Sequence, residues 1–130
     1  MSKMLCRLFI IVVIAYANAS MAQTYPSRPV KVIVPFAAGS ASDTITRSIA
    51  DKLTVSMGQP FIVENRAGAG STIANDYVAK SPPDGYTLLI STAALPVGAT
   101  AYSNLRYDTS AFTSVIVFTH SPLALAVNPS

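Results

Sequence analysis

A chain of 130 residues with 9 Lys and Arg against 6 Asp and Glu carries a formal net charge of +3, and 51% of it is hydrophobic. These figures fit one small α/β domain rather than a disordered tract. The charges are scattered singly with no basic stripe, which argues against nucleic acid as a partner.

The first residues, "MSKMLCRLFIIVVIAYANASMAQ", place Lys3 and Arg7 before an apolar run from Leu8 to Ala17 and then small residues. This predicts a secretory signal over 1–22. Cleavage is expected after Ser20-Met21-Ala22, with Ala17-Asn18-Ala19 as the alternative. The run is half of the ~20 residues that a membrane span needs. Cys6, the only cysteine, lies ahead of the run and leaves with the signal. The mature chain then needs no disulfide, although its destination permits one. Setting Lys3 and Arg7 aside leaves seven basic against six acidic residues, a net charge of +1.

After a proline-fixed segment, "TYPSRP", the β-branched run "VKVIV" suits a strand covered on both faces, as in a parallel sheet, and Pro35 ends it. Ile45, Ile49, Leu53 and Met57 then recur every four residues. This spacing predicts an amphipathic helix, capped by Ser42 or Asp43 and stopped by Gly58. "PFIVEN" reads as a second strand, "RAGAGS" as a glycine-rich turn, and Thr72 to Lys80 as a helix ended by Ser81-Pro82-Pro83. Asp84-Gly85 is a turn before a third strand, Tyr86 to Ile90. The order β-α-β-α-β predicts parallel strands joined by right-handed crossovers. "AALPVGATAYSNLRYD" reads as a short helix and loop, and "FTSVIVFT" and "PLALAVN" as two further strands. An apolar strand directly before Ser130 would lack its cover.

Ligands of open α/β sheets bind beyond the carboxyl ends of the strands, where neighbouring connections leave on opposite faces. With the first three strands in the order 2-1-3, that crevice is flanked by "PFAAGSASD" and "STAALP". Gly39, Ser40 and Ala41 would let a ligand approach the backbone, and the helix beginning at Ser42 or Asp43 would favour an anion such as a carboxylate. A tight turn with a cap is the plainer reading of the same residues. Asp43 would repel an anion if it faced the crevice, so its side chain is expected to cap instead.

Other motifs fail on inspection. "NRAGAGST" has glycines at 68 and 70 but Ile73 where a dinucleotide fingerprint needs the third. Ser40 and Ser42 fit no nucleophile elbow. His120 is the sole histidine, so with no mature cysteine it makes no metal site by itself. Arg66 and Arg106 are candidates to pair with a carboxylate, although single loop arginines are more often solvated.

In this order and spacing, "YPSRPVKVIVPF", the glycine loop ending in Asp43, "GQPFIVENRAGAGS", "PPDGYTLL", "LRYD" and "LALAVNPS" resemble the Bug-type extracytoplasmic solute-binding receptors of tripartite tricarboxylate transporters. The resemblance runs along the whole mature chain. It implies a periplasmic-binding-protein-like α/β lobe, with a mostly parallel sheet flanked by helices. It also implies a two-lobe receptor that catalyses nothing, uses no cofactor or metal, and passes a small carboxylate to membrane components of the transporter. In that family backbone amides and ordered water hold the carboxylate. The ligand-binding backbone expected here is therefore Phe36, Ala37, Ala38, Gly39 and Ser40 from one loop and Ser91, Thr92, Ala93 and Ala94 from another, with Ser42 and Asp43 as the nearby cap.

Three departures accompany the resemblance. Gly39-Ser40 stands where the family usually has two glycines, and serine fits only if that backbone avoids positive φ. Ala93, Ala94, Leu95, Gly98 and Ala99 stand where polar contacts and an Asn-Pro are common. Family members also continue through a second lobe, so residues 23–130 are expected to be a partial N-terminal lobe with the second lobe absent. The alternatives are a nonfunctional remnant and a small enzyme drawing acid–base chemistry from Asp43, Arg66 or His120.

Overall fold

The structure, a computed structural model, describes residues 24–102 and 104–120. The signal expected over 1–22 and the strand expected in "PLALAVN" lie outside the described residues.

The β-branched run forms strand β1, Val30–Val34, and helix α1 follows over Ala41–Met57. Then come β2, Phe61–Asn65, a 3-10 turn at Ala69–Ser71, and helix α2, Thr72–Ala79. Strand β3, Thr87–Leu89, helix α3, Ala94–Ala101, and a second 3-10 turn at Thr109–Ala111 complete the elements. The sheet is β2-β1-β3, the order weighed from the sequence, and both pairings are parallel. Val30 lies opposite Phe61, and Lys31 opposite Thr87. Helix α1 packs on β1 and β2, while α2 packs on β1 and β3. Right-handed crossovers in this order place the two helices on opposite faces of the sheet.

The core follows from that sandwich. Val30, Val32, Ala50 and Phe61 form one buried cluster, with Leu53, Val63, Tyr86, Leu88 and Ile90 packed against it. Ile33, fully buried, alternates to the other face. Burying each such side chain stabilises the fold by about 1.5–3 kcal/mol before entropy is counted. Tyr107 joins the later segment to α2: it is buried, accepts a hydrogen bond from Asn75 Nδ2 at 2.9 Å, and meets the Phe112 ring edge-on at 6.0 Å.

At the amino ends of the strands, two of the recognisable sequence blocks hold each other. Tyr25 donates to the Gly85 carbonyl at 2.7 Å, the Ser27 amide donates to Tyr86 Oη at 3.0 Å, and Arg28 pairs with Asp84 at 2.8 Å. The Arg28 guanidinium also lies 4.0 Å from the centre of the Tyr86 ring. "YPSRP" and "PPDGY" therefore clasp the sheet at the end away from the crevice.

Three expectations are corrected. The cap of α1 is Ser40, whose hydroxyl accepts from the Asp43 amide, and not Ser42 or Asp43. Ser40, Ser42 and Asp43 are all good caps, and the choice falls to the one that leaves the Asp43 side chain free to reach back to the Gly39 amide. The fully buried residues of α1 are Asp43, Thr46 and Ala50; of the predicted row, Leu53 packs against the core cluster and Ile49 is half-buried, whereas Ile45 is 41% and Met57 37% exposed. Small side chains there let the helix lie close on β1 and β2. "FTSVIVFT" forms no strand in the described residues, and Val115, Ile116 and Val117 are 83%, 74% and 67% exposed. β-branched composition fits a pleated surface but does not supply a neighbouring strand to pair with.

Gly58 stops α1 as expected, in the left-handed conformation at φ 69° with its amide bonded to the Thr54 carbonyl. Thr54 Oγ1 also accepts from the Phe61 amide at 3.0 Å, which ties the helix end to the start of β2.

Candidate functional site

Three parallel strands deliver their following loops, 36–40, 66–71 and 91–94, to one end of the sheet. β1 and β3 are neighbours whose connections leave on opposite faces, which is the switch-point geometry. Phe36 and Ser40 are half-buried, and Ala37, Ala38 and Gly39 are exposed. Ser91, Thr92 and Ala93 are exposed and Ala94 is half-buried. Gly39 sits at φ +83°, in the left-handed region, while Ser40 has φ −66°. Serine is therefore unstrained at position 40, and only position 39 needs glycine.

The amides of the first loop divide into two sets. The Ser40 amide donates to the Ala37 carbonyl at 3.2 Å and the Gly39 amide to Asp43 Oδ2 at 2.8 Å. The amides of Ala37, Ala38, Ala41 and Ser42 have no acceptor among the described residues. Those of Ala41 and Ser42 stand in the first turn of α1, where orphan donors and the helix dipole favour an anion, and those of Ala37 and Ala38 lie in the loop just before its cap. The first turn of α3 offers less. Its Ala94 amide is held by Thr92 Oγ1 at 3.2 Å, its Leu95 amide by the Thr92 carbonyl at 3.1 Å, and Pro96 has no N–H.

Asp43 turns inward and is 3% exposed. Besides the Gly39 amide, it accepts from Arg47 Nε at 3.0 Å and from Asn65 Nδ2 at 2.8 Å. Arg47 also lies 3.0 Å from its second oxygen. Asn65 closes the set, donating to the Phe36 carbonyl at 3.1 Å and accepting from Arg47 at 2.9 Å. The hydrogen bond from Arg47, then that from the Gly39 amide, then that from Asn65 lower the Asp43 pKa to about 2 against an opposing desolvation effect. The aspartate thus does not present its charge to the crevice, but it acts at the third helical position rather than as the cap.

That shift fixes a pH dependence. A folded-state pKa below the unfolded value means that the unfolded chain binds more protons in acid. The contribution is complete above about pH 4 and is lost as the pH falls through about 2. Asp108, lowered chiefly by the Ser110 amide, acts in the same direction. Thermal melting is expected to show a marked fall between about pH 5 and about pH 2.5, and a smaller one in Asp43→Asn. A fall of equal size in that variant would show that Asp43 is not responsible.

The "RAGAGS" segment is a left-handed turn at the sheet edge. Ala69, Gly70 and Ser71 have φ of 46°, 62° and 76°, and the Ser71 amide closes the turn on the Gly68 carbonyl at 3.0 Å. A methyl group on Gly70 would stand 2.7 Å from the Tyr102 hydroxyl, so this backbone lies against the end of α3. Arg66 is held by Glu64 at 2.8 Å and stacks 3.6 Å from the centre of the Tyr77 ring, which removes it as a free partner for a ligand. His120 is exposed in an irregular segment and Arg106 is exposed. Among the described residues no group of three or more His, Cys, Asp or Glu is placed to hold a metal ion, and no helix is long and apolar enough to cross a membrane.

Sequence reasoning missed Arg47 and Asn65. The four-residue spacing of Asp43 and Arg47 on one helix face was a usable signal for the first. Nothing in the spacing links Asn65 to Asp43, 22 residues before it, or to Phe36, 29 residues before it.

Residues 45–130 match the family described as "Tripartite tricarboxylate transporter family receptor". The chain is 40% identical to Protein BugT of Bordetella pertussis over 131 aligned residues, covering 95% of this chain and 40% of that protein. The structure of the periplasmic binding protein BugD is similar with a TM-score of 0.62 and 41% identity, over 65% of this chain and 28% of that one. R. palustris Rpa4515, solved with adipate, is similar with a TM-score of 0.60 and 40% identity, over 66% of this chain and 29% of that one. The chain thus spans well under half the length of the relatives it matches.

Proposed function

This chain belongs to the tripartite tricarboxylate transporter receptor family, and on that premise we propose that it is the carboxylate-binding face of a periplasmic solute receptor. Residues 1–22 act as a cleaved signal, and residues 23–130 form part of the N-terminal lobe. The ligand is a small carboxylate-bearing metabolite, passed on without chemical change to membrane components of a tripartite transporter. Loop backbone at Phe36 to Ser40 and at Ser91 to Ala94 contacts it, with the Ala41 and Ser42 amides beside the first loop.

The observation that carries this reading is the division of the Phe36–Ser40 loop. Its one nearby acid is turned inward and paired, while the amides of Ala37 and Ala38, and of Ala41 and Ser42 just after the loop, have no acceptors among the described residues. A carboxylate matches that arrangement, because it is anionic and accepts several hydrogen bonds at once. The adipate found in the similar R. palustris protein is a ligand of this class.

Titrating the chain with adipate, malate and citrate while following backbone amide shifts tests the proposal. The four free amides of residues 37, 38, 41 and 42 are expected to move most. Shifts spread evenly over the chain, or none with any of the three acids, would sink it.

A further inference from the structure

We infer that Arg47 and Asn65, which lie outside the ligand loop, are positioning residues that set its affinity for carboxylates, Arg47 by masking the Asp43 charge and Asn65 by fixing the start of the loop. The inference rests on the receptor reading above for its effect on ligand, but not for its effect on the loop.

The geometry has two parts. The middle of the loop is Ala37, Ala38 and Gly39, which are exposed and have no side chains able to anchor it. Both of its ends are instead held from outside. Asn65, at the end of β2, donates to the Phe36 carbonyl, and Asp43 accepts from the Gly39 amide. The two side chains are bonded to each other at 2.8 Å, and Arg47 joins both at 3.0 and 2.9 Å. One cycle of three side chains, from α1 and β2, therefore defines where the free amides point. A receptor pre-organised in this way loses less conformational freedom when it captures a ligand.

The second part is electrostatic. Asp43 accepts from Gly39 within the very loop that is to receive an anion. Arg47 lies 3.0 Å from both carboxylate oxygens and is itself half exposed, so it neutralises the aspartate while the fork of its guanidinium orients it. Without Arg47, an unmasked negative charge would stand beside the bound carboxylate. Arg66, the nearest basic residue in sequence to Asn65, is occupied by Glu64 and Tyr77 and cannot take over.

Two variants of the full chain separate charge from geometry. In Arg47→Met, adipate binding is expected to weaken about tenfold at low salt and to recover partly at high salt, because repulsion by Asp43 is screened. Arg47→Lys keeps the charge without the fork, so its binding is expected to weaken less and to show the salt response of the wild type. A loss in Arg47→Met that is the same at both salt concentrations, or no loss, would overturn the masking role. Hydrogen exchange in the absence of ligand tests the frame: the Gly39 amide is expected to be protected in the wild type and to exchange at least tenfold faster in Asn65→Ala and Arg47→Met. Unchanged protection would overturn the positioning role. If the wild type binds none of adipate, malate and citrate, the receptor reading fails, and the exchange of Gly39 still decides whether the frame exists.

Discussion

Replacing Ile33 by alanine is expected to cost about 3 to 4 kcal/mol of unfolding free energy. Ile33 is fully buried in the central strand, between Glu64 of β2 and Leu89 of β3 in register. It lies on the face opposite the Val30–Val32–Ala50 cluster, toward the side that α2 covers. Truncation leaves a cavity that neither neighbouring strand can fill without breaking its ladder. A domain of this size has about 5–15 kcal/mol in total, so the loss is a large fraction of it. The control is Ile62→Ala: Ile62 is 51% exposed, because the right-handed crossover places α2 over β1 and β3 and leaves that face of β2 bare. Its cost is expected to be under about 1 kcal/mol. Urea unfolding followed by circular dichroism should show a much lower midpoint for Ile33→Ala at similar slope. Equal midpoints for the two variants would contradict the placement of α2 over β1 and β3 rather than over β2.

The same crossover logic explains what could be read in advance. The run Val30 to Val34 is β-branched at every position but Lys31, and every position but Lys31 is buried; Gly58 and Asp84-Gly85 are breaks whose backbone chemistry is local. A β-α-β-α-β order leaves few ways to arrange three parallel strands, so the crevice between β1 and β3 follows almost from the order of elements. The details that failed depend on contacts distant in the chain. Ser40, Ser42 and Asp43 are equivalent as caps until Asn65 and Arg47 reach Asp43. Of the apolar row Ile45, Ile49, Leu53 and Met57, Leu53 packs on the core and Ile49 is half-buried, while Ile45 and Met57 are exposed and Thr46 and Ala50 are the residues buried against the sheet. "SVIVF" has the composition of a strand, yet a strand exists only through its neighbour's hydrogen bonds.

Affinity is the remaining expected result, and it follows from the exposure of the two loops proposed to hold the ligand. Ala37, Ala38, Gly39, Ser91, Thr92 and Ala93 are all exposed, so the described residues offer a ligand one wall rather than an enclosure. Small-molecule sites that bind tightly bury most of the ligand surface. A single wall leaves much of it wet, while the entropy of capture must still be offset in full. Adipate is therefore expected to bind this chain with a dissociation constant of about a millimolar or weaker, which is about 4 kcal/mol of binding free energy. Fusing the chain to the remaining portion of a longer relative would supply the opposing wall. The expected gain is about a thousandfold, or about another 4 kcal/mol, because the same pre-formed loop then acts from one side of a closed site. Calorimetry on the fusion and amide-shift titration on the chain alone measure the two constants. Micromolar binding by the chain alone would show that one wall suffices. A properly folded fusion that binds no carboxylate more tightly than the chain would show that these loops are not the ligand-holding face.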